Sequence, residues 1–216
     1  MGHWPVAPLN TFLTPFHLWT SHMGRKLEFN FEEAIEQATG LFWSKGYTKA
    51  SLRDLLKVMQ IGESSFYHSF KDKEGLYLEC LRHYNQKVMF PRLETLQSED
   101  SIKSGVRKMF QQVLASNRAD PSRPGCFMTN SLERDVMEMP RIKKYVLEEM
   151  ALLENYLTER IESAMRTGEI DSGIASQDLA ELVMTFYQGM LQRPGLPKND
   201  GSRKNLIELF LERMGF

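Results

Sequence analysis

The sequence predicts an all-α protein of about nine helices. Apolar residues recur at three- and four-residue spacings along most of the chain. No stretch alternates apolar and polar residues with the two-residue period of a strand over a useful length. Gly, Pro and Asp or Asn clusters cut the chain into pieces of helical length.

Residues 1–22 carry Pro5, Pro8 and Pro15 and no Lys, Arg, Asp or Glu. Such spacing forbids a long helix. The expectation is a disordered extension, a tag junction at Ser21-His22-Met23, or a start placed upstream of a natural Met23. From Phe31 the helical period begins, with Phe31, Ile35, Ala38, Leu41 and Phe42 on one face. Asn30 is placed to cap that helix, Glu32 and Glu33 suit its first turn, and Gly46 suits its end. A short second helix opens at Thr48 or at Ala50-Ser51, buries Leu52, Leu55, Leu56 and Met59, and breaks at Ile61-Gly62. A third runs from about Glu63 to Phe70, with Phe66 and Phe70 on its inner side. Asp72 is placed to cap a fourth, carrying Leu76, Leu78, Leu81, Tyr84 and Val88 and ending at Pro91. Further helices are expected near residues 101–117, 131–138, 140–167, 176–193 and 203–214. The breaks between them fall at residues 119–125, at Gly168, at Gly173 and at Arg193-Pro194-Gly195-Leu196-Pro197.

Composition narrows the class. A 216-residue chain with 42% hydrophobic residues can bury a real core in one large or two small domains. Its 27 Lys and Arg nearly cancel its 28 Asp and Glu, for a net charge of −1. No global field therefore draws it to nucleic acid or membrane, and any such binding must use a local patch. Two cysteines, Cys80 and Cys126, make no disulfide framework and fit a reducing, cytoplasmic setting. No apolar run reaches the length of a membrane span.

Residues 48–70 hold the informative constellation: two short helices joined by a tight turn containing Gly62, the helix-turn-helix arrangement. Eight residues make too short a helix to stand alone in water, so packing must hold the second one. With Leu52, Leu55, Leu56, Ile61, Phe66 and Phe70 inside, Glu63, Ser64, Ser65, Tyr67, His68 and Ser69 are left outside. Ser64 and Ser65 are small enough for close approach to base edges and can donate or accept. Tyr67 and His68 can reach bases or phosphates, and Thr48, Lys49, Ser51 and Lys73 flank the helix where phosphates lie. Arg25 and Lys26 are placed to enter an adjacent minor groove. Spacing alone does not decide the matter: a helix pair with a glycine turn is common in helical proteins. Residues 23–73 hold eight Lys and Arg against seven Asp and Glu, which is no strong electrostatic footprint.

Residues 24 to about 85 resemble the DNA-binding domain of the TetR family of bacterial regulators. The stretches that carry the resemblance are Gly24 to Phe29, Leu41-Phe42-Trp43-Ser44-Lys45-Gly46-Tyr47, Thr48 to Gly62, and above all Ser65-Phe66-Tyr67-His68-Ser69-Phe70-Lys71-Asp72-Lys73-Glu74-Gly75-Leu76. The resemblance implies that Ser64, Ser65, Tyr67 and His68 face DNA and that Lys73 contacts a phosphate. It places Tyr47 and Thr48 at the entry to the helix pair. Glu63 departs from the family pattern, where a basic or polar residue is more usual; a carboxylate there repels phosphate or accepts from a cytosine amine. The implied organisation is an extension over 1–22, a DNA-binding domain over 23–75 and a helical ligand-binding and dimerisation domain over 76–216.

In the C-terminal half, Pro124-Gly125-Cys126-Phe127-Met128-Thr129-Asn130-Ser131 resembles a Gly-Cys element found in one branch of that family. Expected ligand-binding residues are Cys126, Phe127, Met128, Tyr145, Phe186 and Tyr187, although Met and aromatics at helical spacing equally suit plain core. Cys126, just before a helix start, is expected either as a reactive thiol or as a small buried hydrophobe. The expected dimer interface is Leu179, Leu182, Val183, Phe186, Met190, Leu206, Leu209 and Phe210. An alternative buries these stripes within their own chain. Neither a catalytic motif nor a metal-ligand spacing is present, so no enzyme, cofactor or metal is expected. Two function classes remain: a homodimeric repressor that leaves double-stranded operator DNA on a small-molecule or electrophile signal, and a helical protein–protein interaction module without DNA binding.

Overall fold

The computed structural model describes residues 31–119, 125–132, 134–191 and 200–216. From Phe31 to Phe216 the chain packs as one compact unit. The expectations for residues 1–22, for Asn30 as a cap and for the Pro194–Pro197 break lie outside the described residues. Among the described residues every regular element is a helix: α1 (Phe31–Lys45), α2 (Leu52–Met59), α3 (Glu63–Phe70), α4 (Lys73–Tyr84), α5 (Phe90–Ser98), α6 (Ile102–Ala119), α7 (Phe127–Asn130), α8 (Arg134–Met137), α9 (Pro140–Arg166), α10 (Ser176–Leu191) and α11 (Asp200–Arg213).

Local chemistry sets the first four. Gly46 ends α1 in the left-handed conformation, φ 77°. Ser51 caps α2 by accepting from the Asp54 amide at 3.1 Å. The turn between α2 and α3 departs from the sequence expectation. Its left-handed residue is Gln60, φ 57°, whose amide closes on Leu56 O. Gly62 is extended, φ −83°, with open space where a Cβ would stand. Glycine is thus not what makes the turn. Asp72 caps α4 by accepting from the Gly75 amide at 2.6 Å. Gly75 itself is required by close approach, because a Cβ there would lie 2.1 Å from Phe70 O. Phe42, Leu55, Phe66, Phe70, Leu76 and Leu81 fill the core these helices share, and Phe31 stacks on Phe70 at 5.4 Å.

Pro91 does not end the fourth helix as expected. A single π-helical turn, Asn85–Met89, follows α4, and α5 begins at Phe90 with Pro91 in its first turn. A proline is tolerated there because its missing N–H would be unsatisfied anyway, and the widened turn carries the chain past the ring. The helix expected near 131–138 is likewise two short pieces, α7 and α8. Gly125, φ 72°, turns the chain into α7. Helices α6, α9 and α10 pack against one another around Val106, Phe110, Val113, Ile142, Leu157, Ile161, Leu179 and Val183. Helix α11 lies on α6, fastened by the Arg107–Glu208 ion pair at 2.7 Å.

Candidate nucleic-acid interface

Helix α3 shows one buried side and one open side. Phe66 and Phe70 are 1% and 4% exposed, whereas Tyr67 is 51% exposed. Ser64, Ser65, His68 and Glu63 are exposed with it. The alternation follows from helical geometry: residues 66 and 70, four apart, share the inner face, and 64, 65, 67 and 68 are turned away from it. Tyr67 rests edge-on against Phe66, with ring centroids 5.3 Å apart, so its ring is supported on one side while the residue stays half exposed.

The flanking residues differ in exposure and in their partners. Lys49 and Ser51 are exposed. Thr48 donates to Asp135 Oδ2 at 3.3 Å, which links the entry of the helix pair to α8. Lys73 Nζ stands 4.4 Å over the Tyr47 ring, and partial burial lowers its pKa. Its tip is thereby fixed beside the start of α4. Arg25 and Lys26 lie outside the described residues. Sequence reasoning passed over Arg53, exposed on α2 and one turn before the exposed Lys57. Their i, i+4 spacing opposite Leu55 was the available signal.

Behind this surface the helix pair is held by the segment around α7. Phe127 stacks near Trp43 at 6.0 Å and meets Tyr77 and Tyr84 edge-on at 5.3 and 5.9 Å. The Tyr77 and Ser131 hydroxyls are hydrogen-bonded at 2.8 Å. Arg141 at the start of α9 reaches Asp72 at 3.4 Å and Glu74 at 3.8 Å. Movement of α7 or α9 therefore cannot leave α1 and α4 unaffected.

The expected ligand residues do not form one cluster. Phe127 and Met128 are buried, and Phe127 serves the junction with α1 and α4. Phe186 belongs to a different stack, 4.3 Å from Phe210 and 5.1 Å from Phe110. Tyr145 accepts from Asn85 Nδ2 at 3.0 Å, and burial raises its pKa. Cys126 and Tyr187 do share surroundings. Cys126 Sγ accepts from the Tyr84 hydroxyl at 3.2 Å, and Tyr187 accepts from Arg92 Nη1 at 2.5 Å. Burial pushes the Tyr187 hydroxyl up to about 12, against the pull of Arg92. Of the two expectations for Cys126, a reactive thiol or a small buried hydrophobe, burial favours the second: the residue is 4% exposed, and α7 has only four residues. Cys80 is fully buried, and burial pushes its thiol pKa up. Among the described residues no group of His, Cys, Asp and Glu could hold a metal ion, and no helix is long and apolar enough to cross a membrane.

The expected dimer residues also divide. Leu179 and Val183 are wholly buried in their own chain and Met190 is 9% exposed, because these positions face α6 and α9. Those three fit the alternative in which the stripe is buried within its own chain. Leu182, Leu206 and Leu209 are 41%, 42% and 47% exposed and have no such cover.

Residues 34–80 match the family described as bacterial regulatory proteins, tetR family, and residues 103–210 match the tetracyclin repressor-like C-terminal domain. The chain belongs to the TetR family. Membership makes it a DNA-binding transcriptional regulator. Among relatives, the uncharacterized HTH-type transcriptional regulator YezE of Bacillus subtilis is 28% identical over 170 residues, 78% of this chain and 86% of its own. The HTH-type transcriptional repressor ComR of Escherichia coli is 27% identical over 168 residues, 77% of this chain and 80% of its own. The TetR fold is seen again in CifR, a cysteine mutant of which was solved with a 26-bp operator: TM-score 0.79, 24% identity, 88% of this chain and all of that one.

Proposed function

We propose that the protein is a homodimeric repressor whose DNA-binding domain, residues 23–75, reads a near-palindromic operator. The C-terminal domain, residues 76–216, dimerises and takes a small-molecule effector. The observation that carries this reading is the outward face of α3: Ser64, Ser65, Tyr67 and His68 in the open, over a buried Phe66 and Phe70. Ser64 and Ser65 meet base edges, Tyr67 and His68 meet bases or phosphates, and Lys49, Ser51, Arg53 and Lys73 meet phosphates. Thr48 acts through its bond to Asp135 rather than on DNA directly. Two such helices about 34–36 Å apart fit successive turns of one duplex face. The repressor names of ComR and of DhaR from Mycobacterium support the direction of control.

An effector in the C-terminal domain releases DNA only if it binds the released arrangement better than the DNA-bound one. The Phe127 junction and the Arg141 ion pairs give it a physical connection to α1 and α4.

The test is a mobility shift against the DNA upstream of the protein's own gene, with Tyr67→Ala as the variant. Wild type binds, with affinity falling steeply as salt rises. Tyr67→Ala, folded normally because its ring is on the surface, binds roughly tenfold or more weakly. Undiminished binding by the folded variant removes α3 from the interface.

A further inference from the structure

Arg92 sits in the first turn of α5 and is 5% exposed. Its Nη1 donates to the Tyr187 hydroxyl at 2.5 Å and its Nη2 to Ser116 Oγ at 3.0 Å. Both acceptors are neutral, and both have placed their own protons elsewhere. Ser116 donates to Gln112 O at 2.9 Å and Tyr187 to Met89 Sδ at 3.7 Å. The remaining guanidinium donors have no acceptor among the described residues. No carboxylate of the described residues lies within ion-pair distance, and α6, which faces Arg92 through Ser116, has no Asp or Glu at all. The guanidinium carbon also lies 5.8 Å from the Tyr187 ring centroid, but no carboxylate of the described residues offsets its burial, and a buried cation without one is costly.

The surroundings point the same way. Arg92 lies three residues past the π turn Asn85–Met89, which itself supplies Met89 to the cluster. Such turns recur at functional sites. One turn from Ser116 and Tyr187, Val113 on α6 and Val183 and Met190 on α10 are buried apolar residues, and Gln112 on α6 keeps a buried side-chain oxygen without a hydrogen-bond partner. Tyr84, on the near side, donates to Cys126 and touches Trp43 of α1 edge-on at 5.0 Å.

We infer that the Arg92 guanidinium is the anchor for the carboxylate of an amphipathic organic acid. This names the chemistry of the effector in the reading above and rests on that reading. A carboxylate fits the guanidinium fork with two parallel bonds. In taking those donors it displaces Tyr187 or Ser116 and shifts the Tyr84–Cys126–Phe127 contacts that hold α1.

The experiment uses the full chain, thermal unfolding, and the operator mobility shift, with octanoate and cinnamate as probes and octanamide and cinnamamide as neutral counterparts. At least one acid raises the melting temperature with a saturating dose and releases DNA, and its amide does neither. Arg92→Met weakens the acid roughly tenfold or more while unfolding cooperatively and still binding DNA. Arg92→Lys keeps part of the response, as a charge without the fork. Should Arg92→Met fail to fold, Tyr187→Phe replaces it: the charge stays, one neutral acceptor goes, and the acid binds at least as well.

Equal action of acid and amide overturns the proposal, as does an acid response that survives Arg92→Met or disappears in a folded Tyr187→Phe. A protein that binds DNA but neither acid also overturns it, and leaves the regulator reading intact. A protein that binds an acid through Arg92 but no DNA overturns that reading instead and leaves the anchor standing.

Discussion

The Tyr84 hydroxyl donates to Cys126 Sγ at 3.2 Å, and both residues are closed off from solvent, 1% and 4% exposed. One hydrogen bond thus joins the last turn of α4 to the start of α7. It also spends the thiol on an internal contact. A thiolate must meet an electrophile to react, and burial denies the encounter.

The first prediction follows from that burial. In the folded protein at neutral pH, Cys126 and Cys80 both resist iodoacetamide, and both label completely in denaturant. Intact mass before and after denaturation measures it. Labelling of Cys126 at the rate of a free thiol in the native chain would contradict the burial and reinstate a thiol sensor.

Gly75 gives the second. Its Cβ position is occupied by Phe70 O at 2.1 Å, a backbone atom that can yield only by moving the end of α3. The same residue supplies the amide that Asp72 caps. Gly75→Ala therefore costs about 2 kcal/mol in overpacking, and thermal unfolding shows a melting temperature lower by roughly 4–8 °C. DNA affinity falls with it, because α3 is set by that junction. A variant as stable as wild type would show that α3 and α4 can separate without cost.

Much of this was readable in advance, and the reasons are local. Helix α1, α3's inner pair Phe66 and Phe70, the Asp72 cap and the Gly46 stop all follow from spacing and capping within a few residues. Gln60 was not readable as the turn residue, since a non-glycine enters the left-handed region only when packing on both sides leaves it no choice. The π turn at Asn85–Met89 was hidden for a similar reason: Pro91 signals a break, and only tertiary contacts decide whether the chain bends or widens. Nothing beside Arg92 in the sequence marks it as buried. Its burial depends on Tyr187 and Ser116, 95 and 24 residues away. The stripes on α10 and α11 showed which positions were apolar. They did not show that Leu179 and Val183 turn inward while Leu182 turns out.

Glu149 provides a pH-dependent prediction. Burial raises its carboxyl pKa, against hydrogen bonds from Tyr145 and Asn85 and the charge of Arg82. The folded chain then holds this proton more tightly than the unfolded chain. The resulting stabilisation is complete below the ordinary value of 4.5 and is lost as pH rises through the raised folded value. Glu149→Gln imitates the protonated group and can still accept from Asn85. Its melting temperature at neutral pH equals or exceeds that of wild type, and the wild-type gain on acidifying toward 4.5 is reduced. A variant clearly less stable at neutral pH would show that the carboxylate charge, and not its proton, is what the site favours.

The last prediction concerns the outer face of α10 and α11. Phe186 and Phe210 stack at 4.3 Å and bind the two helices together. Leu182 and Leu206 lie one turn before them on the same helices, with Leu209 alongside, and all three are exposed. Exposed large apolar side chains this close together mark a surface that expects cover. In a two-fold dimer each leucine is used twice, so Leu206→Glu with Leu209→Glu removes four buried side chains. At about 1.5–3 kcal/mol each, the loss is roughly 6–12 kcal/mol, enough to dissociate a dimer at micromolar concentration. Because Ile207 and Leu211 hold α11 to its own chain, the double variant stays folded. Light scattering after size-exclusion chromatography then reports a helical monomer. Operator affinity collapses with it, since a lone α3 reads only a half-site. A double variant that remains dimeric would place the interface elsewhere and return these leucines to the ordinary apolar surface.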